Sequence, residues 1–171
     1  AARASGSPVV PLLGRRLDVA SGVAALNAWP SPDAPAWLED HRIGGHVLMP
    51  AAAMLESLRI AATAASAGAA VDLVDVVVHR ALDLEPQDGG AVEWQTTAVA
   101  GTDGTLSLGL FARPGAAGGS AEAWTRIASG TGVAAGDPPS GPAAPASGAA
   151  QALDPEALFA RIAGIGAQFG P

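Results

Sequence analysis

Between positions 50 and 67, apolar side chains recur at helical spacing: Met54, Leu55, Leu58, Ala61 and Ala62 form one stripe, while Glu56, Arg59 and Thr63 fall on other faces. Alanine is the strongest intrinsic helix former, and Pro50 suits a first turn because its missing N–H would have no partner there. The pattern predicts a long buried helix from Pro50 to about Ala67. Farther along, the chain changes to short apolar runs. Val71 to Leu84 is rich in Val and Leu, is bounded by Gly68 and Pro86, and predicts a strand. Val92 to Ala100 and Thr105 to Arg113 flank Gly101-Thr-Asp-Gly104, a hairpin signal, and Trp124 to Thr131 predicts a further strand. A helix followed by an antiparallel meander gives an α+β class.

Composition then divides the chain. Residues 1–135 carry the periodic apolar segments. Residues 136–153 are too rich in Pro, Gly and Ala to build a core and read as a linker. Residues 154–171 open with Asp154-Pro155-Glu156, an N-cap followed by a first-turn proline and a first-turn acid. Leu158, Phe159, Ile162 and Ala163 then recur at helical spacing, which predicts a short helix to about Gly164.

With 171 residues, 49% of them hydrophobic, and no apolar run long enough to span a bilayer, the expectation is a soluble chain with one ordinary core and no membrane partner. The net charge of -7 argues against nucleic acid as a partner, because neutralising phosphates needs clustered cations and the nine basic residues are scattered arginines. The absence of cysteine excludes disulfides, thiolate metal sites and cysteine nucleophiles. No charged segment followed by an apolar signal core opens the chain, so a cytoplasmic location is expected.

The densest candidate chemistry lies in His41-Arg-Ile-Gly-Gly45-His-Val-Leu-Met-Pro50. An imidazole titrates nearest to neutral pH of all side chains, and apolar surroundings favour its neutral, proton-accepting form, so His41 is a candidate general base. By itself it reads more readily as a histidine bonded structurally within a loop. Gly44 and Gly45 allow a tight turn that brings a main-chain amide near a ligand, or merely a turn. His46 lies five residues from His41 across two glycines, which is not the helical i,i+4 spacing of a zinc motif, and no acid cluster completes a ligand set; no metal is expected. His79 reads as a cap at the edge of its strand, and Asp72, Asp75 and Asp83 as solvated positions. No serine sits in a nucleophile-elbow pattern. The four tryptophans are most simply core or strand-pair residues, though Trp37, so near His41, is a candidate for lining a substrate mouth.

The spacing His41, three residues, Gly45, four residues, Pro50 resembles the motif of the dehydratase domains of modular polyketide synthases. Other segments resemble that family in the same order. Pro11-Leu-Leu-Gly14 is similar to its opening, with Val10 where His is usual. Pro35-Ala-Trp-Leu-Glu-Asp-His41 resembles the approach to its catalytic histidine, and Trp124-Thr-Arg126 with Ala-Ser-Gly130 resembles the end of its first half. Phe159, Gly166 and Phe169-Gly-Pro171 resemble the segment that opens its second half, with Phe169 replacing the usual Tyr.

The resemblance implies a hot-dog fold, an antiparallel sheet wrapped around a central helix, as the first half of a double hot-dog. It implies dehydration of a β-hydroxyacyl thioester to the α,β-enoyl thioester, with His41 as base, the Gly45 amide on the thioester oxygen, and Pro50 shaping the site. The substrate would ride on the phosphopantetheine arm of an acyl carrier protein, with no metal or redox cofactor. Other implied partners are the C-terminal hot-dog half, the remaining synthase domains and, in the parent, a second copy. The proton donor would be an Asp of the second half, beyond Pro171, so these residues alone are expected to be inactive and to associate. Glu56, six residues after Pro50, reads most simply as a structural or solvated residue and is the alternative acid. In that case the chain would be a homodimeric hot-dog hydratase or thioesterase that completes its site from a second copy, resembling the homodimeric fatty-acid dehydratases in which a Glu at that spacing acts across the dimer. A pyran-forming cyclase and a non-catalytic structural fragment are the remaining readings.

Overall fold

The computed structural model describes residues 14–17, 19, 23–85, 91–115, 124–136 and 154–168. Nine strands occur among them: β1 (Arg15–Leu17), β2 (Val23–Ala28), β3 (Arg42–Ile43), β4 (His46–Val47), β5 (Val71–Val78), β6 (Ala91–Ala100), β7 (Leu106–Gly115), β8 (Thr125–Ala134) and β9 (Ala167–Gln168). Six of these form one antiparallel sheet in the order β1-β2-β6-β7-β8-β5, and the three short ones form a second sheet, β4-β3-β9. Helix α1 (Ala51–Ala65) lies on the large sheet, and α2 (Pro155–Gly164) precedes β9.

The helix forms where the apolar stripe predicts it, two residues shorter at its C-terminal end. Ala53, Met54, Ser57, Leu58, Ala61 and Ala62 are buried, and they pack with Trp94, Ala98, Leu108, Leu110 and Ile127 from the sheet. Two details differ from the expectation. Leu55 is 40% exposed, because the buried face is completed by Ala53 and Ser57, whose hydroxyl donates to the Ala53 carbonyl. Pro50 is the N-cap rather than a first-turn residue: its extended backbone turns the chain into the helix, and its carbonyl accepts from the Ala53 and Met54 amides.

The β6–β7 hairpin pairs from Ala91↔Gly115 to Ala100↔Leu106, closed by a turn in which Asp103 accepts from the Thr105 amide and hydroxyl. The third strand of the meander, β8, pairs antiparallel with β7, with one register shift between Leu110 and Phe111. Outside the meander the topology departs from the pattern. Strand β5 does not join β6 but pairs with β8 at the far edge, and β1 and β2 enter from before the helix. The predicted strand to Leu84 ends at Val78. A bulge between Val74 and Val77, with Asp75 at φ 52, bends it, and the chain then crosses to the small sheet.

Helix α2 forms as predicted, with Asp154 accepting from the Glu156 amide at 3.0 Å. It has no buried residue: Leu158 and Phe159 are exposed, as is Ile165, which caps its C-terminal end. Pro11 to Leu13, Pro86, the linker beyond Gly136, and Phe169-Gly-Pro171 lie outside the described residues. No described helix is long and apolar enough to cross a membrane.

Candidate active site

The site is built on the short hairpin β3–β4. A 3-10 turn over Ala36–Leu38 sinks the Leu38 side chain fully into the core and leaves Trp37 half-exposed beside it. The His41 amide donates to the Leu38 carbonyl, so that buried leucine anchors the entry to the hairpin. Arg42↔Val47 and Ile43↔His46 pair across it, and Gly44 and Gly45 close it with φ of 60° and 85°. Two consecutive positive φ angles define the mirror-image tight turn that only glycine adopts without strain at both places. Among the described residues nothing lies within 4 Å of a Cβ built at either position, so the dihedrals rather than crowding require glycine.

His41 is tied to Leu48 twice. The Leu48 amide donates to the His41 carbonyl, and His41 Nδ1 lies 2.9 Å from the Leu48 carbonyl oxygen. A carbonyl can only accept, so the neutral ring carries its proton on Nδ1 and its basic lone pair on Nε2. The hairpin therefore holds a half-buried imidazole in one tautomer, with Nε2 as its basic atom. Two residues on, Pro50 begins α1, so the site lies at that helix's N-terminal end.

Residues 82–84 brace the other side of the hairpin. The Met49 amide donates to the Leu82 carbonyl and the Leu84 amide to the Val47 carbonyl, while Asp83 bridges to Leu48. Asp83 is not merely solvated, as its sequence context suggested. It lies 2.9 Å from His46 Nδ1 and accepts from the Glu85 amide. Arg42 reaches Glu85 at 3.3 Å and Glu39 at 3.8 Å. The alternation of buried Leu82 and Leu84 around Asp83 is the signal that this segment is a separate extended piece. The remaining candidates lie elsewhere. His79 bonds Ser129 at the end of β5, and Asp72 accepts from the Gly136 amide.

Glu56 stands on the exposed side of α1, its carboxylate accepting from Arg59 Nε at 2.8 Å and Nη2 at 2.6 Å. Those hydrogen bonds hold its carboxyl below the ordinary carboxylate range against a smaller opposing effect of burial, with the Arg59 charge adding to the lowering. A proton donor at neutral pH needs the opposite shift. Of the tryptophans, Trp94 is core and Trp124 stacks under Arg113 at 4.4 Å, whereas Trp29 and Trp37 are exposed, contrary to a core role. No group of three His, Cys, Asp or Glu able to hold a metal occurs among the described residues.

Residues 10–113 match the family model described as polyketide synthase dehydratase domain. The chain is 32% identical over 97% of its length to the pikromycin polyketide synthase component PikAII of Streptomyces venezuelae, of which it spans only 4%. It is similar to a structure described as giving insights into dehydratase substrate selection for the borrelidin and fluvirucin polyketide synthases. The TM-score is 0.76 at 28% identity, over 96% of this chain and 56% of that one. The dehydratase domain from the CurK module of the curacin polyketide synthase superposes with a TM-score of 0.75 at 21% identity, over 94% of this chain and 56% of that one.

Proposed function

The chain belongs to the polyketide synthase dehydratase domain family, and from that premise we propose that it serves the dehydration of a β-hydroxyacyl thioester to the α,β-enoyl thioester in polyketide biosynthesis. His41 Nε2 takes the proton from the α-carbon. The electron pair left behind passes to the thioester carbonyl as an enolate, which the Gly45 amide stabilises as charge develops. Collapse of the enolate forms the α,β double bond and expels the β-hydroxyl, which leaves as water after receiving a proton from an acid. That acid is an Asp of a second hot-dog unit. Pro50 and Trp37 shape the mouth of the site. The acyl chain rides on the phosphopantetheine arm of an acyl carrier protein, with no metal or redox cofactor, and the parent is a cytoplasmic, homodimeric synthase with further domains.

The single observation that carries the reading is the His41 Nδ1–Leu48 carbonyl contact at 2.9 Å, which leaves Nε2 as the basic atom. The test is to supply the full-length polypeptide with a β-hydroxyacyl acyl carrier protein and follow loss of water by mass spectrometry. Conversion to the enoyl thioester is expected. Recovery of only a migrated double bond, or only a cyclic ether, overturns it.

A further inference from the structure

One amide of the two-glycine turn is already engaged. The Gly44 N–H donates to the Gly166 carbonyl at 2.8 Å, and from Gly166 onward β9 pairs with β3 through Ile43↔Ala167 and Arg42↔Gln168. The open edge of the candidate catalytic hairpin is thus closed by the section of chain that follows α2. This matters because β3 and β4 are two residues each, too short to hold a fixed orientation by their own pairing. Residues 82–84 brace β4, and β9 braces β3.

Gly166 itself is shaped for this contact. Its amide donates to the Ala163 carbonyl at 3.0 Å in the turn that ends α2, and its φ of 84° turns the chain so that its carbonyl meets the hairpin. A Cβ at Gly166 would lie 3.8 Å from the Gly44 nitrogen and 3.9 Å from its Cα, ordinary contact distances. The dihedral, not lack of space, demands glycine there. A Cβ at Gly44 or Gly45 would meet nothing within 4 Å among the described residues.

We propose that Gly166 is a positioning residue for the Gly44–Gly45 turn: its carbonyl occupies the Gly44 amide and sets the turn so that Gly45 presents its own amide to the thioester. This rests on the dehydratase reading above. It also means that the section after the linker completes the hairpin of the section before it, so the two are coupled at the site and not merely joined.

The test uses Gly166→Val and Gly166→Asn in the full-length polypeptide. Valine resists positive φ, whereas asparagine tolerates it. Hydrogen exchange of a peptide covering residues 42–48 reports the turn, and a peptide covering residues 51–65 reports whether the fold is intact. With Gly166→Val, exchange at 42–48 should quicken by about fivefold or more, the worth of one hydrogen bond, while the helix stays protected. Turnover should fall about tenfold to a hundredfold with KM within about twofold, because a misplaced donor acts on the reacting step. Gly166→Asn should restore both. If Gly166→Val also loses protection in α1, Gly166→Ala, with less strain, replaces it. Unchanged exchange at 42–48 in the strained variant overturns the proposal, as does quickened exchange with unchanged turnover. Absence of dehydration in the unmodified protein overturns the dehydratase reading instead, and the exchange result then stands as a test of the hairpin contact by itself.

Discussion

The imidazole of His41 and the carbonyl of Leu48 are seven residues apart in sequence and 2.9 Å apart in space, joined across the hairpin that closes at Gly44 and Gly45. The bond fixes which ring nitrogen is basic, and a variant can keep it while removing the base. His41→Asn retains an N–H donor for Leu48 but has no basic nitrogen. In the full-length polypeptide this variant should keep its melting temperature within a few degrees and lose at least about a hundredfold in dehydration, the usual contribution of a general base. Turnover near that of the unmodified protein removes His41 from the mechanism.

Glu56 offers the opposite expectation. Its carboxylate is bound by Arg59 on an exposed helix face, and the pairing holds it ionised at neutral pH. Glu56→Gln should therefore change dehydration by less than about threefold and stability by less than about 0.5 kcal/mol, as for exposed i,i+3 pairs generally. A large loss of turnover with unchanged stability would mean that Glu56 leaves Arg59 to act as the acid across a dimer.

Legibility from sequence followed the strength of the local signal. The helix stripe around Leu58, the turn at Gly101 to Gly104 and the cap at Asp154 each carry a period or a turn chemistry that neighbours reinforce. Strand β2 carries neither. Ala24 to Ala28 are buried throughout, on both faces of the strand, so no alternation of polar and apolar positions marks Val23–Ala28, and the alanines lack strand preference. The apolar pattern prolongs strand β5 to Leu84 because Leu82 and Leu84 continue it, whereas the strand ends at Val78 and residues 82–84 bond instead to the β3–β4 hairpin and the residues that follow it. At the site, the spacing of His41, Gly45 and Pro50 was visible. The partners that orient it, the Leu48 carbonyl, Asp83 and the Gly166 carbonyl, were not: two are main-chain atoms, and all three contacts depend on how the segments fold back.

The helix gives a direct stability test of where the core lies. Leu58 is fully buried and Leu55 is 40% exposed, although both belong to the apolar stripe. Leu58→Ala should destabilise by about 2–5 kcal/mol through lost burial and the cavity left behind. Leu55→Ala should cost less than about 1 kcal/mol. Urea denaturation of the two variants measures the difference; equal losses would place Leu55 in an interface that a second unit covers.

A final prediction concerns acid. Glu93 on β6 faces Arg113 on β7, with 2.8 Å between its Oε2 and the Arg113 Nε, and its Oε1 accepts from the Asn27 amide at 2.7 Å. Its side chain is 13% exposed. Burial, the largest single influence, pushes its pKa up, but the hydrogen bonds from Asn27 and Arg113 and the Arg113 charge together outweigh it, and the carboxyl titrates below its ordinary value. A depressed folded-state pKa means that the ionised form stabilises the fold above the unfolded value of about 4.3, and that this contribution is lost as pH falls through the folded value. Glu93→Gln should therefore destabilise by about 1–3 kcal/mol at pH 7, since it leaves Arg113 without its anion and weakens the bond to the buried Asn27. Arg113 keeps its stacking on Trp124, so the loss should not extend to the whole strand pair. Denaturation measured at pH 7 and at intervals down to about pH 3 should show the gap between the two proteins narrowing below about pH 4, where the unmodified carboxylate is protonated in its turn. A gap that stays constant with pH would assign the loss to packing and not to the charge.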